Sequence, residues 1–169
     1  MMNRRELMRL MPRNGNDVDG AEHILALGYP AIAPVLPDIV RWLRVAESPV
    51  ADAFADLLAD LGDPAIEAVA WHGLRPDNCW ARHRILCRVL PRWSDSALQR
   101  ITFMLSTTAT QPDAYDNDLR AIEILADRGL ADPKWLAGWL EFKQGRLDAR
   151  VALLARAKHA VDRANSRGS

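Results

Sequence analysis

At 169 residues the chain has the length of one ordinary domain, enough to bury a sizeable core without disulfides or a structural metal. Hydrophobic residues make up 49% and charged residues 26%, the balance of a folded, soluble protein and not of a disordered one. Its 22 basic and 22 acidic side chains cancel, which argues against general nucleic-acid binding, where phosphate neutralisation usually demands a basic excess.

Met1 to Pro12 carries arginines but no long apolar core, so it does not read as a secretory signal. No stretch approaches the ~20 apolar residues of a membrane span, and a cytoplasmic protein without a membrane partner is expected. Residues 1–16 are expected to be poorly ordered. From there on nearly every segment has a helical period, and none alternates as a half-buried strand would. Asp19 with Glu22 has the spacing of a capping box at the start of a helix that should stop at Gly28. Ile32, Leu36, Ile39, Val40 and Leu43 then share one helical face. Val50, Phe54, Leu57, Leu58 and Leu61 share the next, after Ser48-Pro49, which places a capping hydroxyl before a proline at the first helical position. Gly62 is the stop and Asp63-Pro64 the following start. Ile85, Leu86, Val89 and Leu90 make a further stripe, as do Leu98, Ile101 and Leu105. Thr107 to Asp113 reads as a polar connecting loop. Leu119, Ile122, Leu125 and Ala126 precede a stop at Gly129 and a start at Asp132-Pro133. Leu136, Trp139 and Leu140, then Leu147, Val151, Leu154 and Val161, close the chain. The expectation is about eight or nine helices in a single domain over 1–169, with a frayed tail at 163–169.

Leu27-Gly28-Tyr29-Pro30-Ala31-Ile32 returns as Leu61-Gly62-Asp63-Pro64-Ala65-Ile66, and Leu130-Ala131-Asp132-Pro133 follows Gly129 at roughly twice that interval. A fixed period with two helices per unit marks an α-solenoid. The second copy, with the turn at Asp77 and the helix after it, resembles a HEAT-type repeat. Taken whole, residues 10–110 resemble a small bacterial HEAT-like family, domain-of-unknown-function family 5071. The residues that carry the resemblance are Leu27 to Ile32, Leu36-Pro37, Trp42-Leu43 and Ser48-Pro49-Val50-Ala51. It implies an all-α fold, a short solenoid of HEAT-like hairpins, and no particular activity.

The side chains that bear chemistry do not converge on a catalytic motif. Cys79, His83 and Cys87 lie at i, i+4 and i+8, with His72 in the preceding helix. Two turns of helix separate the cysteines by about 12 Å, too far for a disulfide or for one zinc ion to reach both. The four histidines have no serine or cysteine beside them in a nucleophile motif, and there is no phosphate-binding glycine loop. No catalytic residue, metal or cofactor is expected. Asp52, Asp56 and Asp60 repeat every four residues, and Arg84, Arg88 and Arg92 do the same 32 positions later. Such stripes either pair as a ladder between stacked helices or steer an oppositely charged partner. Trp71 and Trp80 flank the turn Arg75-Pro76-Asp77-Asn78 off the strongest apolar positions, and with His72 and Arg84 they are candidates for a binding patch. Trp42 and Trp139 are expected to be buried.

The reading that follows is a non-enzymatic module presenting one face to another protein, for instance an immunity protein occluding a toxin. Its candidate contact residues are Asp52, Asp56, Asp60, Trp71, His72, Trp80, Arg84 and Arg88. A nucleic-acid or DNA-repair protein on a HEAT-like scaffold is the alternative, with Arg82, Arg84, Arg88, Arg92 and Arg100 lining a groove and Trp80 or Trp93 against the backbone. A homodimeric structural protein is a third, and solution mass separates it from the others.

Overall fold

A computed structural model describes residues 2–113 and 115–167, and among them there are ten α-helices and no β-strand. By its contacts the chain divides into two compact units, Met1–Leu130 and Ala131–Ser169, where one domain was expected. The composition of the second unit accounts for the division. It is almost wholly one helix, and from Gln144 to His159 every residue of that helix is exposed.

The first unit begins with α1 (Arg4–Leu10), inside the segment expected to lack order. Asn3 accepts from the Glu6 N–H while the Glu6 carboxylate accepts from the Asn3 N–H, and Leu7 is fully buried. This capping box and one apolar anchor are enough to fix the turn. Arg4 and Arg41 both bond Asp38, which ties α1 to the body of the unit. α2 (Val18–Leu27) is capped by Asp17, two residues before the expected Asp19. The N–H groups of Arg13 and Gly20 hold the Asp17 carboxyl below the usual range.

Two turns of similar design follow. Gly28 (φ +63°) ends α2, and a 3-10 turn at Ala33–Val35 leads into α3 (Leu36–Trp42). Gly62 (φ +59°) ends α4 (Pro49–Leu61), and a 3-10 turn at Asp63–Ala65 leads into α5 (Ile66–Ala68). Glycine is needed at both stops because a side chain strains the left-handed region. Ser48 caps α4 as its position suggests, accepting from the Ala51 N–H and donating to the Gly15 carbonyl. Asp63 caps neither element, because Gly62 holds the cap position of the 3-10 turn, Ala65 holds that of α5, and Asp63 is already the first residue of the turn.

α5 continues as a wider, π-type turn over Val69–Gly73, and α6 (Cys79–Arg84) continues the same way over Ile85–Val89. The two wide turns meet where Gly73 has no side chain. A Cβ there would overlap Cδ1 of Ile85 and stand 3.2 Å from Cγ1 of Val40. α4 packs against α2, α3 and the wide turn of α6, and that turn packs in addition on α9 (Asn117–Asp127). Phe54, Leu58, Ile39 and Ile85 are fully enclosed at these junctions. Each such side chain contributes roughly 1.5–3 kcal/mol by leaving water.

After a 3-10 turn at Leu90–Arg92 come α7 (Asp95–Arg100) and α8 (Thr102–Thr110), and α8 pairs closely with α9. The expected loop at Thr107–Asp113 is helical as far as Thr110. The hydroxyls of Thr107 and Thr108 donate to the carbonyls of Phe103 and Met104 four residues back, so these threonines stay satisfied within the helix. Gly129 (φ +61°) closes α9.

In the second unit Asp132 accepts from the Lys134 N–H at the start of α10 (Pro133–Arg167). The helix runs well into the expected frayed tail, of which residues 168 and 169 lie outside the described residues.

Candidate functional site

The candidate residues occupy three separate places. The acidic and basic stripes face each other. Arg84 Nε bonds Asp52 at 3.1 Å, and Arg88 spans Asp52 at 2.8 Å and Asp56 at 3.1 Å. Arg92 spans Asp56 at 3.3 Å and Asp60. The periodicity explains the register. Stripes with a four-residue period on two adjacent helices step together, so each arginine reaches the carboxylate level with it, and Arg88 and Arg92 also reach the one a turn earlier. Five contacts therefore use up the charge that was a candidate for attracting a partner. The outer rungs are about half exposed, and in water such pairs contribute only ~0–1 kcal/mol each. Asp56→Ala, which breaks the contacts of both Arg88 and Arg92, should lower stability by less than about 1.5 kcal/mol. The deficit should shrink as salt rises from 0.05 to 1 M in urea melts.

Arg84 differs from its neighbours. Only 8% exposed, it also donates from Nη1 to the carbonyls of Leu43 and Val45 at 3.0 and 2.6 Å. Those carbonyls lie just past the end of α3, where helix acceptors are otherwise orphaned. The guanidinium is a buried clamp between α6 and the end of α3, and it is not available to a binding patch.

Trp80 is half-buried in an aromatic cluster with Tyr115 and His83, at ring-centroid distances of 4.6 Å and 6.3 Å. Arg82, Asp113 and Asn117 form a polar group that the sequence pattern does not bring together. Arg82 is 2% exposed, donates to the Arg75 carbonyl and stands 3.5 Å from Asp113. Asn117 donates to Asp113 and to the Cys79 carbonyl. Three buried atoms here, Asn78 Nδ2, Arg82 Nε and Asn117 Oδ1, have no hydrogen-bond partner among the described residues. Only the apolar run around Arg82 could have signalled its burial, since it stands beside Ala81 and one turn before Ile85 and Leu86.

The third place is an open groove. Among the described tryptophans only Trp71 is exposed, at 64%, while Trp42 and Trp139, expected inside, are half-buried. The enclosed one is Trp93, whose indole N–H donates to the Leu58 carbonyl at 3.1 Å. In α5, Ile66, Val69, Ala70 and Gly73 form the buried face, so Trp71 points away from it. With His72, Glu67, Tyr29 and Pro37, Trp71 lines a groove of about 670 Å³ between the starts of α3 and α5. Tyr29, from the turn equivalent to the one that precedes α5, is itself 51% exposed. Each copy of the Leu-Gly-x-Pro-Ala-Ile turn gives one residue to the lining, Tyr29 and Pro64, and the rest comes from the helical segments that follow them. Neither Trp80 nor any ladder residue lines it.

Cys79 and Cys87 are free thiols, and Cys87 Sγ lies 3.9 Å from the His83 ring. Loss of water around Cys87 pushes its thiol up, against the opposing pull of Arg120, which lowers the thiolate fraction at neutral pH. Among the described residues no three His, Cys, Asp or Glu side chains are grouped to hold a metal ion.

No protein-family model matches the chain, and no curated protein matches it either.

Proposed function

We propose that this chain is a non-enzymatic interaction module, a short HEAT-like solenoid that docks another protein in the groove between α3 and α5. The observation that carries this reading is the pairing of Trp71 and Tyr29, two large aromatic side chains more than half exposed across one hollow. Exposed aromatics of this kind dominate binding energy where they meet a partner, because they bury large area at little entropic cost. Glu67 is the charged side chain on the groove wall. The occupant that fits is a protein segment with an apolar side chain for the aromatic walls and a basic residue for Glu67.

The repeat reading is supported by the two glycine stops, each followed by a 3-10 turn into a helix, and by the ion-pair ladder that joins α4 to α6. Occlusion of a toxin by an immunity protein is the concrete form we favour, since it asks no chemistry of this chain. The anchors would be Trp71 and Tyr29 in place of the Asp stripe. The nucleic-acid alternative loses support because Arg84, Arg88 and Arg92 are engaged with carboxylates and Trp93 is buried.

Trp71→Ala should leave the urea midpoint almost unchanged, as an exposed side chain contributes little to folding. The same substitution should weaken the partner at least about tenfold, the effect of a hot-spot residue. The measurement is co-elution and titration calorimetry with a partner co-purified from the native host, or with the product of any toxin-like gene found beside this one. Equal affinity of wild type and Trp71→Ala, or a salt-sensitive shift of labelled DNA, would overturn the groove reading.

A further inference from the structure

α10 is a long helix in which every residue from Gln144 to His159 is exposed. Leu140, Leu147, Leu154 and Val161 are 46%, 55%, 71% and 58% exposed, and they recur every seven residues. A strict seven-residue repeat marks a helix that supercoils with another, and these four residues make one column of the seam. The companion column is Ala137, Gln144, Val151 and Lys158. Two apolar residues and two polar ones there match a two-stranded coil, in which isolated polar residues in this column set register and strand number. Gly138 and Gly145, where a Cβ would meet nothing, fall on the outer face of the coil and weaken the lone helix by about 1 kcal/mol each. A helix so exposed and so interrupted needs tertiary or quaternary packing to persist in water.

The charges choose the occupant. Flanking the seam on one side are Lys143 and Arg150, and on the other Glu141 and Asp148. When two copies run parallel, the basic flank of each helix lies along the acidic flank of the other. Run antiparallel, like charges meet. We infer that α10 joins two copies of this chain as a parallel two-stranded coiled coil over residues 137–161. The aromatic ridge of Trp135, Trp139 and Phe142 lies on the opposite side of the helix and takes no part in the seam. This inference stands apart from the groove, because the two surfaces belong to different units.

Sedimentation equilibrium of the full chain at about 50 μM should give twice the 18.9 kDa chain mass. Leu147→Asp with Leu154→Asp should weaken the dimer at least roughly 100-fold, since each copy would bury two carboxylates in the seam. The thermal transition of residues 1–130 should remain, which separates lost pairing from lost folding. A second pair of variants reads orientation. Lys143→Glu/Arg150→Glu should dissociate alone, and should pair again when mixed with Glu141→Lys/Asp148→Lys. With both native cysteines replaced by alanine, Ala137→Cys should form a disulfide between copies under mild oxidation, as only a parallel coil brings the two equivalent positions together. A monomeric wild-type mass, a dimer indifferent to the two aspartates, or a dimer in which Ala137→Cys does not cross-link would each overturn the proposal.

Discussion

Asp113→Ala should lower the stability of the first unit by about 3–5 kcal/mol, the cost of leaving a buried guanidinium without its counter-charge. The Arg82 side chain is 2% exposed and that of Asp113 is 14%, so water cannot take the place of the carboxylate. Asp113 also accepts from the N–H groups of Tyr115 and Asn117 and from the Asn117 side chain, and all three donors would be stranded. The substitution therefore removes a charge partner and a turn cap together. Urea unfolding followed by far-UV circular dichroism measures the loss. Should Asp113→Ala fail to fold, Arg82→Met/Asp113→Asn keeps the question open to experiment. It removes the charge while retaining a cap acceptor, and should recover most of the stability, giving a coupling energy of about 2 kcal/mol against the single substitutions. No coupling would mean that the 3.5 Å contact contributes nothing to folding.

That cluster also shows where reading the sequence stops. Helix starts and stops are legible because they depend on single residues with special backbone or capping chemistry, as at Gly28, Gly62, Gly129 and Ser48. The ladder is legible too, since two stripes of equal period on adjacent helices can meet in few ways. Arg82 is different. Its apolar neighbours Ala81, Ile85 and Leu86 give only a faint signal, and its burial follows from α9 and the loop before it closing over α6, a contact between residues more than thirty positions apart. Trp42 and Trp139, expected inside, are only half-buried for a related reason. Apolar stripes give the face of a helix that turns inward, but not how deeply each level of that face is covered. The groove needed both kinds of information. Trp71 could be placed off the buried face from the period alone, whereas Tyr29 becomes its neighbour only once α3 and α5 are set side by side.

Two arginines of one stripe, both paired with Asp52, should respond very differently to the same substitution. Arg84→Met is expected to cost about 2–4 kcal/mol, whereas Arg88→Met should cost about 1 kcal/mol or less. The stripe alone would rank them equally. Burial separates them, because the Arg84 side chain is 9% exposed and that of Arg88 40%. Arg84→Met leaves the buried carbonyl of Leu43 and the part-buried carbonyl of Val45 without their donor, and a buried acceptor left unsatisfied costs roughly 1–3 kcal/mol. Arg88→Met releases only carboxylates that water can reach. Arg84→Lys should rescue little, for a single ammonium cannot reproduce a fork that bonds two carbonyls and Asp52 at once. Salt supplies the second axis of the test. At 1 M salt the deficit of Arg88→Met should all but vanish, while that of Arg84→Met should persist, since its bonds are to backbone carbonyls and shielded from ions. Equal deficits at both positions, or equal loss with salt, would mean that Arg84 is one more rung of the ladder and not the clamp that joins α6 to the end of α3.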